Sequence, residues 1–274
     1  MMKYFFLPIT IMFTICISAQ KKEKIKGNKN VVDVYMNLEN FSQIEVTDDL
    51  EVFLMQTSSN GYHLNTDSNL VEVIKLDVID DVLKIYTSHK IVSSKKLEIY
   101  VTFQDIKKLT INQSTEIEGQ NKFNLVDFTL NSSNYAKFNL DIDANNSYFQ
   151  LDGSSNGTIK FKGQDSKMVI NENAYLKGVL SIDNLSLTVN KRADMKIEGS
   201  VENLSVIITG SSDINAKNLK ATNAKLNASN TSEIYLYVSK MLSIYARGKS
   251  FIHVYGNPDI TIEGLSDKSQ ILKK

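Results

Sequence analysis

The feature that most constrains this chain is a repeat whose clearest copy is LSVIITGSSDINAKNL, residues 204–219. A first strand with Val206 and Ile208 pointing inward is followed by small polar residues and by a second strand with Ile214 inward. Versions of this pattern recur about every 18–21 residues from residue 109 to residue 256. One copy cannot bury its apolar side alone, so the copies are expected to stack on one another.

The repeat predicts an all-β protein, a single-chain β-helix or solenoid with coils of roughly 18–21 residues, preceded by a β-rich N-terminal portion. We predict a β-rich part at residues 37–108, where residues alternate with period two and Asp80 and Asp81 mark a hairpin turn. Repeat coils follow at 109–262 and a C-terminal tail or cap at 263–274. About eight coils at ~4.8 Å spacing make a rod ~40 Å long.

The N-terminus predicts export from the cytoplasm. A short basic start, an apolar run of about 13 residues and the small residue Ala19 are typical of a secretory signal peptide at residues 1–19, too short to span a membrane. Cleavage after Ala19 removes the lone Cys16, which leaves a mature chain without disulfides or thiolate metal ligands. Residues 20–36 are predicted to be a flexible lead-in. The expected location is periplasmic, outer cell envelope or secreted, with no membrane span in the mature chain.

Charge and motif content exclude several function classes. The chain has 31 basic and 31 acidic residues, and this balance argues against nucleic-acid binding, which needs a basic face. His63, His89 and His253 form no ligand-spaced pair, so no metal site is predicted. The sequence contains no nucleophile elbow, phosphate loop or dinucleotide fingerprint. We therefore predict no cofactor and no enzymatic activity.

A polar row is predicted at one corner of the coils, at the position that follows the first inward residue of each copy. Amide side chains in such a row can hydrogen-bond to one another along the solenoid axis and satisfy groups where the chain turns. The alternative interpretation is a polar binding stripe. The asparagines assigned to this structural ladder are Asn112, Asn131, Asn171 and Asn190.

An aromatic patch is predicted on the last two coils. If Ile234 and Leu236 point inward, the alternating residues point outward, and the next coil repeats the arrangement. Exposed aromatic residues can stack on sugars or contact proteins, so a cell-surface glycan or protein is one candidate partner. The alternative is a cap beneath the tail or a self-association surface that makes a homo-oligomer. The residues of this aromatic patch are Tyr235, Tyr237, Tyr245, His253 and Tyr255.

Four stretches resemble the signatures of a known bacterial family. They are TGSSDINAKNL at 209–219, DGSSNGTIKFKG at 152–163, YARGKSFIHVYGNPDI at 245–260 and FSQIEVTDDLEVFLMQ at 41–56. Their order and number are similar to those of the family described as a putative auto-transporter adhesin, head GIN domain, across about residues 41–262. The corners NENAY, NKRAD and NASNT lack the glycine of that pattern. The resemblance implies an exported β-helical envelope protein of Bacteroidota-like bacteria, an adhesin role and no catalytic residues.

Three functions follow from these observations. The first is a non-enzymatic, exported β-solenoid that acts as an adhesin or interaction module in the cell envelope. The second is a carbohydrate-active β-helix enzyme, a polysaccharide lyase or hydrolase, which would need carboxylates converging on one groove. The third is a purely structural periplasmic scaffold.

Overall fold

The computed structural model describes residues 22–274, and the signal peptide predicted at 1–19 lies outside them. The predicted all-β solenoid with a β-rich N-terminal part is confirmed. No helix within residues 22–274 has the length and apolar character needed to cross a membrane. In chain order the strands are β1 (Lys24–Lys26), β2 (Val31–Asn37), β3 (Gln43–Val46), β4 (Glu51–Gln56), β5 (Gly61–Asp67), β6 (Ile74–Ile79), β7 (Val82–Thr87), β8 (Lys90–Ser93), β9 (Leu97–Phe103), β10 (Lys108–Ile111), β11 (Glu116–Gly119), β12 (Phe123–Ser132), β13 (Lys137–Leu151), β14 (Asn156–Ile170), β15 (Tyr175–Val189), β16 (Asp194–Ile208), β17 (Asp213–Ala228), β18 (Glu233–Ala246), β19 (Phe251–Tyr255), β20 (Asp259–Leu265) and β21 (Gln270–Lys273).

Each central coil is one long strand that bends once. β13, β14, β15 and β16 have 15 residues each and pair in parallel with the next strand in the chain. The ladder pairs Ala144 with Gly163 and Asn146 with Asp165, and it passes over the residue between them. This residue is the bend that divides each coil into a first face, before it, and a second face, after it. Inward side chains alternate along both faces and meet in the core.

A tight corner joins the second face of one coil to the first face of the next. Its second residue has a positive φ in successive coils, whether that residue is glycine, as at Gly153 (71°) and Gly210 (82°), or not, as at Glu172 (65°) and Lys191 (68°). Backbone hydrogen bonds between stacked corners, such as the N–H of Asn173 to the carbonyl of Gly153 at 2.9 Å, accompany this conformation. The corners that lack the family's glycine therefore keep the same left-handed geometry.

The β-rich N-terminal part closes one end of the solenoid. β2, β5 and β9 are antiparallel neighbours, and β6 and β7 form the hairpin predicted at Asp80 and Asp81, both of which have positive φ. Coil stacking begins before residue 109, because β3 and β4 pair in parallel with β10 and β11. The excursion from β5 to β9 separates these coils in sequence, which hides their repeat.

The flexible lead-in predicted at 20–36 is wrong where the structure describes it. β1 pairs with β8, and β2 pairs with β5 along its whole length. The polar composition of this segment is that of an edge strand, because most of its side chains remain exposed. The predicted tail at 263–274 also forms strands, since β20 pairs with β18 and β21 pairs with β19 as a last coil.

The buried carboxylate of Asp67 holds three segments of the N-terminal part together. It accepts hydrogen bonds from the backbone N–H groups of Lys29 (3.1 Å), Lys95 (3.1 Å) and Lys96 (3.3 Å). Burial alone would raise the pKa of Asp67, but these donors outweigh it and hold the pKa below its ordinary value. The carboxylate therefore stabilises the fold at neutral pH.

We predict that Asp67→Asn lowers the urea midpoint of unfolding at pH 7. A lowered folded-state pKa contributes stability above the ordinary carboxyl pKa of about 4, and this contribution is lost as the pH falls through the folded-state pKa. The gap between wild type and variant should therefore narrow below about pH 4. Urea titrations of wild type and variant from pH 7 to pH 3 measure the difference between their unfolding midpoints. A difference that widens on acidification contradicts a stabilising role for the Asp67 carboxylate.

Candidate functional site

The structure brings together two residues of the aromatic patch, Tyr235 and His253, as neighbours in register on the first face. Their rings stack with centroids 4.3 Å apart and an interplanar angle of 5°. The hydroxyl of Tyr235 donates to Glu233 Oε1 at 2.7 Å, and His253 Nε2 lies 3.0 Å from the same oxygen. The two rings therefore cover each other's faces instead of presenting both faces to a ligand.

An acidic column lies beside this pair. Asp194, Asp213 and Glu233 follow one another in register on three successive coils. Burial and the nearby carboxylates of Glu233 and Asp194 raise the pKa of Asp213 above its ordinary value. The hydrogen bond to Glu233, together with burial, raises the pKa of Tyr235 to about 12. Tyr235 and His253 therefore act locally as hydrogen-bonding partners of a crowded carboxylate.

The other three residues of the aromatic patch divide between the two faces. Tyr237 and Tyr255 pair in register on the first face and are both half-buried. Tyr245 lies on the second face, 39% exposed, where its ring packs over Gly264; a Cβ on that glycine would lie 2.7 Å from Tyr245 Cε2. The five predicted residues therefore form two separate surfaces.

The corner row of polar residues contains three of the four predicted asparagines. Asn171 Nδ2 donates to Asp152 Oδ1 at 2.8 Å, and Asn190 Nδ2 donates to Asn171 Oδ1 at 2.9 Å. Asn112 occupies the same corner and accepts from Ser133 Oγ at 3.0 Å. These bonds run along the axis from coil to coil.

The placement of Asn131 in this row is wrong. Asn131 pairs with Thr110 and Gln150 inside the strand ladder, two residues before Ser133, which holds the corner position of this coil. The inward position that should precede the corner is held by Ser132, which is buried although it is polar. Because the apolar pattern points to Leu130 instead of Ser132, the register predicted from the sequence is wrong by two residues at this copy.

The second face carries a groove that sequence reasoning missed. It has a volume of about 1010 Å³ and extends from Asn146 on β13 to Glu263 on β20. It crosses β13 to β18 and β20, so at ~4.8 Å per coil it is about 29 Å long. Leu185, Leu204 and Leu242 lie along its floor. A groove of this shape fits an extended ligand aligned with the solenoid axis.

One wall of the groove is a second asparagine ladder. Asn184 Nδ2 donates to Asp165 Oδ1 (2.9 Å), Asn203 to Asn184 (2.9 Å) and Asn223 to Asn203 (3.1 Å). The ladder stops at Asn223, whose neighbour in the next coil is Met241. The signal for this wall was present as asparagine directly after the bend in DNLSLT, ENLSVI and TNAKLN. Finding it requires the bend position, which the apolar pattern does not mark.

The opposite side of the groove carries serine and lysine side chains, and the groove as a whole is lined by charges of both signs. Ser186 and Ser205 project from the neighbouring coils β15 and β16, and Ser243 projects from β18, one coil after Lys225. These serines leave the groove open at their coils because they are small. Ser243 Oγ donates to Glu263 Oε1 at 2.5 Å, and Lys225 Nζ lies 3.9 Å from the same oxygen. The charged residues that line the groove are Asp165, Lys167, Lys225, Asp259 and Glu263.

No metal-binding geometry occurs in the part of the chain that the structure describes. Residues 22–274 contain no cluster of three or more His, Cys, Asp or Glu side chains arranged to hold an ion. Two of the groove carboxylates accept hydrogen bonds from neighbouring side chains: Asp165 from the amide of Asn184 and Glu263 from the hydroxyl of Ser243.

Comparison with known proteins gives matches of two kinds. The model of the family described as "Putative auto-transporter adhesin, head GIN domain" matches residues 40–170 and 150–258. No curated protein matches the sequence. Among solved structures, a putative adhesin from Parabacteroides merdae ATCC 43184 aligns with a TM-score of 0.69 and 16% identity, over 92% of this chain and 99% of that chain.

Two further structures come from Parabacteroides distasonis ATCC 8503. One is described as a putative lipid binding protein (TM-score 0.65, 19% identity, 92% of this chain and 100% of that chain). The other is described as a putative adhesin (TM-score 0.66, 15% identity, 92% of this chain and 98% of that chain). At these identities the likeness shows a shared fold.

Proposed function

The chain belongs to the head GIN domain family, and from this premise we propose that it is a non-enzymatic adhesion module that binds a neutral, linear glycan along the groove of its second face. The observation that carries the proposal is the groove itself, which is long, open and parallel to the solenoid axis. The predicted signal peptide and the family support a location outside the cytoplasm, in the periplasm, on the outer envelope or in the medium.

The asparagine wall supports a ligand with repeating hydroxyl groups. An amide has two N–H donors and an oxygen with two lone pairs, and the axial ladder uses one donor and one lone pair of Asn184 and of Asn203. Each of these exposed amides therefore keeps one donor and one acceptor for a ligand, once per coil. A linear glycan offers hydroxyl groups at comparable regular intervals.

The charge of the groove supports a neutral ligand. Three carboxylates and two ammonium groups line it, and Lys225 lies close to Glu263. A strongly anionic polymer would meet Asp165, Asp259 and Glu263, and a strongly cationic one would meet Lys167 and Lys225. An uncharged glycan is repelled by neither the carboxylates nor the lysines.

An enzymatic role has less support. Glycoside hydrolysis needs two carboxyl groups placed on either side of the scissile bond and free to exchange protons. In the groove, Asp165 and Glu263 instead accept hydrogen bonds from Asn184 and Ser243. Polysaccharide turnover that is abolished by changing a single groove carboxylate would restore the lyase or hydrolase alternative.

The proposal assigns different roles to the residues of the aromatic patch. Tyr245 stands on the groove face two residues after Ser243, so we assign it to the edge of the glycan site. Tyr235, Tyr237, His253 and Tyr255 lie on the other face, and we assign them a packing role on the basis of the Tyr235–His253 stack.

We predict that Ser205→Trp lowers glycan affinity at least tenfold. Ser205 is exposed in the middle of the groove, so an indole ring there occupies the ligand's path without entering the core. Ser200→Trp is the matched control, because Ser200 is also exposed on β16 but lies on the first face. Binding is measured by titration calorimetry with soluble xylan, glucomannan and chitin oligosaccharides.

Other probes distinguish the remaining functions. Phosphatidylethanolamine vesicles test a lipid ligand, the class in the description of one solved structure as a putative lipid binding protein. Hyaluronan tests an anionic glycan. Vesicle or hyaluronan binding that Ser205→Trp abolishes would replace the neutral glycan as ligand. Failure of every probe to bind would favour the periplasmic scaffold.

A further inference from the structure

The last coil that the structure describes, formed by β20 and β21, leaves inward side chains exposed. Ile262 and Leu265 on β20 continue the inward rows of Ile244 and Ala246, which are fully buried one coil earlier. Ile262 is nevertheless 53% exposed and Leu265 is 48% exposed. On the other half of the same coil, Ile271 continues the inward row of Ile252. Within residues 22–274, no further strand covers these side chains.

The same coil leaves two strand edges open. β20 is paired only with β18 and β21 only with β19 among the described strands. Their outer edges present backbone N–H and C=O groups that are available to another chain. Exposed apolar side chains beside open strand edges are typical of an interface.

The two ends of the solenoid differ, and the difference restricts how copies can meet. The N-terminal end finishes in the antiparallel pairs β2–β5 and β6–β7, and Leu70, between β5 and β6, is fully buried. That end therefore does not offer the parallel coil on which a further coil would stack. Two C-terminal ends that meet about a twofold axis give a closed contact that uses the same surface on both copies.

We infer that the C-terminal coil is an interface with a second copy of this chain, in which β20 of each copy pairs antiparallel with β21 of the other. Charge complementarity selects this pairing. β20 carries Asp259 and Glu263, whereas β21 carries Lys273 and is followed by Lys274. The twofold axis places the acidic β20 of each copy against the basic β21 of the other copy, so the dimer contains two such contacts. Pairing β20 with β20 would oppose like charges.

Two charge-reversed variants test this interface. Lys273→Glu/Lys274→Glu makes both strands acidic, and Asp259→Lys/Glu263→Lys makes both basic. All four side chains are exposed, so both variants are expected to fold, and circular dichroism verifies this. We expect a dimeric wild type, two monomeric variants and a dimer when the variants are mixed, because each then supplies the charge that the other lacks.

Sedimentation equilibrium of the full mature chain measures the masses. A doubled mass for the wild type and for the mixture, with single mass for each variant alone, supports the interface. A wild type that stays monomeric up to its solubility limit overturns it, and so does a mixture that remains monomeric. Neither readout depends on glycan binding, so the result is independent of the proposed function.

Discussion

Phe149→Ala is expected to lower the free energy of unfolding by about 3–5 kcal/mol. Phe149 is fully buried, and its ring makes edge-to-face contacts with Phe161 (centroids 5.3 Å apart) and Phe128 (6.1 Å). Truncation removes both contacts and leaves a cavity that the parallel strands on either side cannot close without breaking their register. Urea unfolding followed by far-ultraviolet circular dichroism gives the difference.

Tyr135→Ala is the matched control for this change. It also removes an aromatic ring, but Tyr135 is 68% exposed at a corner, so the expected change is within about 0.5 kcal/mol. A loss below about 1 kcal/mol for Phe149→Ala would show that the aromatic layer does not hold the central coils together.

Gly199→Ala is expected to cost on the order of 2–4 kcal/mol. Gly199 has φ of 116°, outside the range that residues with a side chain adopt at low cost, and the register shifts just before it, between Lys196 and Glu198. A Cβ at this position would lie 2.0 Å from the carbonyl oxygen of Leu180 on the neighbouring coil. Relief requires movement of backbone in two coils.

Gly178→Ala separates this effect from the general cost of adding a methyl group. A Cβ on Gly178 would first meet the Ile159 Cγ2 atom at 3.0 Å, and a side chain can shift where a backbone carbonyl cannot. Gly178 should therefore tolerate alanine at a cost of less than about 1 kcal/mol. Equal losses in the two variants would contradict a special role for the backbone at Gly199.

The periodic part of the fold was predictable because its inward positions are mostly aliphatic. Ile170, Val189 and Ile208 pair in register as the repeat predicts. The alignment fails where polar or small residues occupy inward positions. Ser132 replaces an aliphatic residue, and at Gly157 the ring of Phe138 fills the space, since a Cβ there would lie 2.1 Å from Phe138 Cζ. A pattern of apolar residues cannot detect an inward glycine.

The surface was harder to predict than the core. Alternation correctly places Tyr235 and His253 in adjoining outward positions, yet it does not show that their rings stack on each other and share Glu233. The groove depends on several side chains that are short at the same position in successive coils, such as Ser186 and Ser205. To predict the groove, one needs both the register of the coils and the position of the bend. The sequence alone gives the register only in part.

The most direct test of glycan binding along the groove is the dependence of affinity on ligand length. Titration calorimetry with a series of xylan and chitin oligosaccharides of increasing length should show affinity that rises with each added sugar and levels off when the ligand spans the groove, about 29 Å. Ser205→Trp should divide the groove and move this plateau to shorter ligands. Affinity that is already maximal for a disaccharide, or that is unchanged by Ser205→Trp, would contradict a ligand extended along the solenoid.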